Sequence, residues 1–189
     1  MKRLTASPQD ILTAGRWLRR GGIGIYPTDT AYGIGGRFRS QSVRVRISEF
    51  KKRDDQKFTL IASSLGQVEK FFKLSATAKK LARKHWPGPL SIVVSPRFAV
   101  RVPAAATARR LARLAGQPLI ATSVNLSGQP PAYTSSEVER VLKKSRRTPD
   151  FFLDVGQLRR QEVSTVVKVT GNKVEVIREG SVKVRQMQS

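Results

Sequence analysis

Lys51, Lys52 and Arg53, followed by Lys57, gather four cations ahead of an apolar run that begins at Phe58. If this segment is extended, Lys51, Arg53 and Lys57 stand at even separations and share one side. Lysine as a compact point charge and arginine as a planar fork suit different oxygens of a polyphosphate, so phosphate binding is the chemistry this group could do. A solvated basic turn is the alternative. Far along the chain, Ser123 and Asn125 stand two residues apart in Pro118-Leu119-Ile120-Ala121-Thr122-Ser123-Val124-Asn125-Leu126-Ser127-Gly128, where an apolar strand opens into small polar residues. Ligands in open α/β sheets bind at such strand ends. A third place, Tyr26 to Gly36, collects hydroxyls, the Asp29 carboxylate and glycines that let backbone approach a ligand closely. It is neither a phosphate loop with a Gly-Lys-Ser/Thr ending nor a dinucleotide fingerprint. The fourth, Ser164-Thr165-Val166-Val167 with Arg178-Glu179-Gly180, reads by itself as a hairpin and its exit. Ser123 has the type of a nucleophile, but the single histidine, His85, sits in a helix-ending segment, and a serine triad has no specific support.

Composition narrows the remaining classes. The 189 residues include 36 basic and 13 acidic side chains, one histidine and no cysteine, for a formal charge of +23. Zinc ribbons, iron–sulfur sites, thiol nucleophiles and disulfide scaffolds all need cysteine, and a two-histidine metal site needs a second histidine. With 39% hydrophobic residues the chain can bury a real core, and its length suits one domain spanning 1–189. The start lacks the apolar core of a secretory signal, and no run approaches the roughly 18 apolar residues of a membrane span. A cytoplasmic protein is therefore expected. Between Glu69 and Glu137 no acidic residue occurs while Lys70, Lys79, Arg83, Arg101, Arg109 and Arg113 do, which makes the middle third a candidate anion-facing region.

The elements that must position these residues follow from pattern. Ser7-Pro8 caps a helix with Ile11, Leu12, Ala14, Trp17 and Leu18 on one face, ended by Gly21-Gly22. Ile23 to Tyr26 and Phe58 to Ala62 read as strands, and Val43, Ile47 and Phe50 recur at helical spacing. Val68, Phe71 and Phe72 suggest a short helix; Ser75 caps another that stops at Trp86-Pro87-Gly88-Pro89. A strand over Leu90 to Ser95, a helix from Ala104 ending at Gly116 and a buried strand over Leu119 to Ala121 come next. Thr134-Ser135-Ser136-Glu137 is a capping box before a further helix. Phe151 to Val155, Thr165 to Val169 and Val174 to Ile177 read as strands, the last two joined at Gly171-Asn172. The sum is an α/β fold with parallel and antiparallel pairs mixed.

Taken in order, Pro27-Thr28-Asp29-Thr30 with Tyr32-Gly33, Lys51-x-Arg53, Trp86-Pro87-Gly88-Pro89-Leu90, Arg101-Val102-Pro103, Ser123-x-Asn125 with Ser127-Gly128, Ser164-Thr165-Val166-Val167 and Arg178-Glu179-Gly180 resemble the YrdC family of threonylcarbamoyl-AMP synthases. Each piece is modest, but the ordered set spans Gly21 to Gly180, and the length is similar to the short bacterial form. The resemblance implies a twisted mixed parallel/antiparallel sheet with flanking helices around a basic concave cavity. The implied reaction joins L-threonine, bicarbonate or carbon dioxide and ATP into threonylcarbamoyl-adenylate with release of pyrophosphate. The product would serve the threonylcarbamoyl modification of adenosine at position 37 in tRNAs reading codons that begin with A, through a separate transferase complex. It further implies ATP binding by Lys51, Arg53, Lys57, Ser123, Asn125, Pro131 and Arg178, with Lys51, Arg53, Ser123 and Asn125 at the reaction centre. Threonine would be held by Thr30, Arg101, Ala121 and Ser164, Arg101 clamping a carboxylate and Ala121 acting through its backbone. Magnesium would arrive with ATP, without a preformed protein site. Binding of tRNA or double-stranded RNA is a further implied partnership, in keeping with the charge.

Asp54 stands where the family usually has proline, Val124 where it has alanine, Ala62 where some relatives carry histidine, and Asp29 where glutamate is commoner. Asp29 is the nearest candidate for a general base, although the chemistry does not require a strong one. Two alternatives remain at this level: an RNA-binding protein of the same fold acting in ribosomal RNA maturation, and a sister enzyme that activates another carboxylated substrate.

Overall fold

Helix α1 (Pro8–Arg19) forms where Ser7 accepts from the Asp10 N–H and proline occupies the first turn. The computed structural model describes residues 1–52, 57–145 and 147–184. Strands β1 (Lys2–Leu4), β2 (Gly24–Pro27), β3 (Tyr32–Gly35), β8 (Thr122–Ser123) and β9 (Phe151–Leu153) make one sheet, in the order β1-β9-β2-β3-β8. A second sheet has the order β11-β10-β5-β6-β4-β7, built from β4 (Phe58–Ile61), β5 (Leu90–Ser95), β6 (Phe98–Arg101), β7 (Leu119–Ile120), β10 (Thr165–Thr170) and β11 (Lys173–Arg178). Both sheets mix parallel and antiparallel pairs, as the pattern predicted: β1, β9 and β2 run parallel while β2–β3–β8 is antiparallel, and β5–β10 and β4–β6 are parallel within an otherwise antiparallel set.

Three apolar clusters hold the layers. Ile25, Ile34 and Phe152 of the first sheet and Phe58 and Leu60 of the second meet Val43, Ile47 and Phe50 of α2 (Gln41–Lys51) and Val138 of α6 (Ser135–Lys144). On another side, α1 and α5 (Ala106–Leu114) pack Leu18, Leu111 and Ala112 with Tyr26 and Phe151. Beneath the second sheet, α4 (Ala76–His85) sets Ala78, Leu81 and Ala82 against Leu90, Ile92, Val167 and Val174. The short α3 (Leu65–Glu69) is capped by Ser64. Among the described residues no helix is long and apolar enough to cross a membrane.

Four strands were not legible from pattern. Tyr-Gly-Ile-Gly of β3 has little strand propensity, yet it lies fully buried between β2 and β8, where glycine admits close neighbours. β1 is polar and pairs only at an edge, β6 follows Pro96-Arg97, and β8 is two residues long. Helix α5 begins at Ala106 rather than Ala104; its N-cap Ala105 offers no side-chain acceptor, and Arg109 instead donates to the carbonyls of Pro103 and Ala104 at 2.7 and 2.6 Å. Lys51 is the last residue of α2, and Lys52 closes that helix in the left-handed region at φ 53°. The extended basic segment assumed in the sequence reading therefore does not include Lys51.

One of the three passages of the chain between the sheets is a run of strand interrupted only at Ala121. β7 pairs with β4 of the second sheet and β8 pairs with β3 of the first, so the backbone changes sheets at Ala121. There the Ala121 N–H donates to Thr59, Ile120 N–H to Gly36, and the Tyr26 hydroxyl to the Ile120 carbonyl at 2.7 Å. This crossover delivers Ser123 and Asn125 to the seam.

Candidate functional site

A cavity of about 400 Å³ opens at the seam, lined by Thr30, Lys51, Lys57, Thr59, Arg101, Ala121, Thr122, Ser123, Asn125, Ser127, Gly128, Val163, Ser164 and Arg178. Nine of the eleven residues singled out in the sequence are on that wall: Lys51, Lys57, Ser123, Asn125, Arg178, Thr30, Arg101, Ala121 and Ser164. Arg53, like Asp54, lies outside the described residues. Pro131 is placed elsewhere, in a neighbouring cleft of about 250 Å³ with Tyr133, Arg140, Lys144 and Arg160. The loop that carries it is closed by the Ala132 N–H, which returns to the Val124 carbonyl at 3.0 Å.

Helix α2 presents Lys51 because its apolar face ends at Phe50 and the next residue, also buried, must bury its stem and find acceptors for its ammonium. Lys51 Nζ donates to the Ser123 carbonyl at 2.9 Å and to Asn125 Oδ1. The same Oδ1 accepts from the Ser123 hydroxyl at 2.6 Å, while Asn125 Nδ2 donates to the Gln129 carbonyl. In return the Ser127 N–H donates to the Lys51 carbonyl at 3.0 Å. The lysine and the serine–asparagine loop are thus one hydrogen-bonded unit.

On the opposite wall Arg101, the last residue of β6, is almost wholly buried. Its Nη1 lies 2.8 Å from Asp29 Oδ1 and its Nη2 donates to Thr30 Oγ1 at 3.2 Å. Burial pulls the Arg101 pKa below the usual arginine range, with Asp29 opposing. Thr30 is held in a turn closed by Thr28, whose N–H and hydroxyl both donate to the Ala31 carbonyl. Arg178, the last residue of β11, donates from Nε and Nη2 to the Ser164 carbonyl at 3.2 and 2.7 Å and to the Ser164 hydroxyl at 3.0 Å. The Ser164 hydroxyl also meets that of Ser91 at 3.1 Å. Burial first, then the charge of Arg101, lowers the Arg178 pKa.

Lys51, Lys57, Arg101 and Arg178 therefore surround one hollow whose described lining contains no carboxylate. Such a field concentrates anions and spreads charge that develops during reaction. Lys57 and Thr59 also edge an adjoining groove of about 640 Å³ floored by Val93, Phe98, Val166 and Ile177, so the hollow continues along the face of the second sheet. Thr59 and Ser91 escaped the sequence reading. Alternation within Phe58 to Ala62, which puts Thr59 opposite Phe58 and Leu60, is the signal that marks the first. His85 ends α4 away from the cavity lining.

The sequence model of the family described as Telomere recombination, Sua5/YciO/YrdC, matches residues 16–180. A threonylcarbamoyl-AMP synthase of Thiobacillus denitrificans is 34% identical over 84% of this chain and 90% of its own length. The structure of Pyrococcus abyssi Sua5 complexed with L-threonine superposes with a TM-score of 0.83 at 28% identity, covering 95% of this chain and 57% of that one. Escherichia coli YciO superposes at 0.82 with 24% identity over 97% of both chains, a likeness of fold. By the extent of the family match and the identity to the Thiobacillus protein, this chain belongs to the Sua5/YciO/YrdC family.

Proposed function

We propose that this protein is a threonylcarbamoyl-AMP synthase, joining L-threonine, carbon dioxide or bicarbonate, and ATP with release of pyrophosphate. The observation that supports it is the convergence of Lys51, Ser123 and Asn125 with Thr30, Arg101, Ser164 and Arg178 on one cationic cavity at the seam of the sheets. In this reading the threonine amine captures carbon dioxide, losing a proton, and the resulting N-carboxylate oxygen attacks the α-phosphorus in line as the bond to the pyrophosphate oxygen breaks. All participants are anionic, so the protein's work is positioning and charge dispersal. Arg101 would take the threonine carboxylate, Thr30 and Ser164 its polar groups, and Ala121 would act through backbone. Lys51, Lys57, Arg53, Ser123, Asn125 and Arg178 would face the nucleotide. Pro131 would face the nucleotide from the neighbouring cleft. With no carboxylate on the described lining, magnesium would be carried by the nucleotide phosphates rather than by protein ligands.

The product would pass to a transferase acting on tRNA in the cytoplasm, and the formal charge of +23 supports contact with tRNA or double-stranded RNA. The test is pyrophosphate release from ATP by the purified chain. Release that requires both threonine and bicarbonate supports the synthase. Release with a different amino acid points to a sister activating enzyme, and salt-sensitive RNA binding without turnover overturns the enzymatic reading.

A further inference from the structure

We propose that Asp29 is a positioning residue, not a base: it holds the Arg101 guanidinium at the cavity wall so that it meets a substrate carboxylate. The proposal deepens the synthase reading and rests on it for the identity of that substrate. Asp29 lies in the turn between β2 and β3, with its side chain only 9% exposed. Each of its oxygens faces a donor of the protein, Oδ1 through an ion pair alone and Oδ2 through a hydrogen bond. Oδ1 stands 2.8 Å from Arg101 Nη1, and Oδ2 accepts the Ala104 N–H at 3.0 Å. A general base needs a lone pair facing the proton it removes, and Asp29 is not on the described cavity lining.

Its position suits a different task. Arg101 arrives from the second sheet and Asp29 from the first, so their ion pair fixes an arginine on one layer from a turn on the other. Arg109 braces the far side by donating to the Pro103 and Ala104 carbonyls, which leaves the Ala104 N–H aimed at Asp29. The pair meets off axis: at 2.8 Å the attraction is strong, although Arg101 Nη1 and Asp29 Oδ1 are both sealed from water without a well-directed hydrogen bond. Arg101 nevertheless lines the cavity, so a guanidinium whose Nη1 is anchored by Asp29 and whose Nη2 is anchored by Thr30 is presented to a planar carboxylate there without reorganisation.

The experiment compares wild type with Asp29→Ala, Asp29→Asn and Asp29→Glu. One readout is side-chain nitrogen NMR of Arg101, assigned through Arg101→Lys; the other is KM for threonine and for ATP in pyrophosphate release. Expected are a restrained guanidinium in wild type and in Asp29→Glu, which returns the charge, and a freely rotating one in Asp29→Ala and Asp29→Asn. KM for threonine should rise about 10–100-fold in the latter two, with KM for ATP and the pH profile of kcat unchanged. Should Asp29→Ala fail to fold, Asp29→Asn keeps an oxygen for the Ala104 N–H and carries both readouts. A guanidinium as restrained without Asp29 as with it overturns the proposal, as does loss of kcat with disappearance of an ionisation. If wild type releases no pyrophosphate with threonine, the synthase reading fails, and the NMR comparison still decides whether Asp29 holds Arg101.

Discussion

Lys51 illustrates how a residue can belong to both architecture and chemistry. Its stem is buried at the end of α2 and its ammonium joins the Ser123 carbonyl and Asn125. Lys51→Met fills similar volume but takes the ammonium donor from the Ser123 carbonyl and leaves Asn125 Oδ1 the Ser123 hydroxyl. We expect a stability loss of about 1–3 kcal/mol, measured by urea denaturation, together with loss of pyrophosphate release. Sequence alone brought Lys51, Ser123, Asn125, Thr30, Arg101, Ser164 and Arg178 to notice because their ordered set is distinctive. What it could not convey was the partnership between them, since the links Lys51–Asn125 and Arg101–Asp29 span more than seventy residues and depend on where the sheets meet. The place of Pro131, in the neighbouring cleft, was illegible for the same reason: the closure of Val124 on Ala132 is a tertiary event with no local signature.

Elements with chemistry at their ends were the most legible. Ser7, Ser75 and Thr134 cap the helices expected of them, because an N-cap hydroxyl acts within three residues. The Thr134–Glu137 box is complete, with Glu137 accepting the Tyr133 and Thr134 N–H groups at 2.6 and 3.0 Å. Those bonds, that from Tyr133 foremost, hold the Glu137 carboxyl below its ordinary value of 4.5. A carboxyl lowered on folding stabilises above its unfolded value, and that contribution fades as pH falls through the folded one. Glu137→Ala should therefore cost about 1 kcal/mol near neutrality, with the deficit from wild type shrinking below pH 4.5, as thermal melts across pH would show. The strands escaped notice where burial by neighbours, rather than propensity, decides their form. In β3, a methyl group at Gly35 would collide with the Ile120 carbonyl and come within 2.6 Å of the Tyr26 hydroxyl. Gly35→Ala should destabilise the protein by about 1–3 kcal/mol in urea unfolding, through overpacking at the seam.

For the molecule as a whole, charge is the dominant property. Many exposed cations of the middle third, such as Arg110 and Arg113, act only as field, while Arg101 from the same stretch is nearly sealed from solvent. Screening separates the two roles, because salt weakens exposed interactions far more than buried ones. In steady-state pyrophosphate release, raising salt from about 0.05 to 0.5 M should increase KM for ATP several-fold and leave KM for threonine nearly constant. The mixed α/β class was legible from the alternation of helical and strand periods. The division into two sheets was not, because nothing in Leu119 to Asn125 signals a strand that changes partners midway.

That change of partners at Ala121 makes the chain unequally tolerant of added length. Extra residues at the Gly171 hairpin tip would loop into solvent and leave β10 and β11 in register. A single residue inserted between Ala121 and Thr122 would invert every side chain beyond it relative to β3, turning the Ser123 hydroxyl from the hollow toward the packed interior. Natural length variation in this architecture is therefore expected at its outer hairpins, with the stitch between the sheets kept at fixed count.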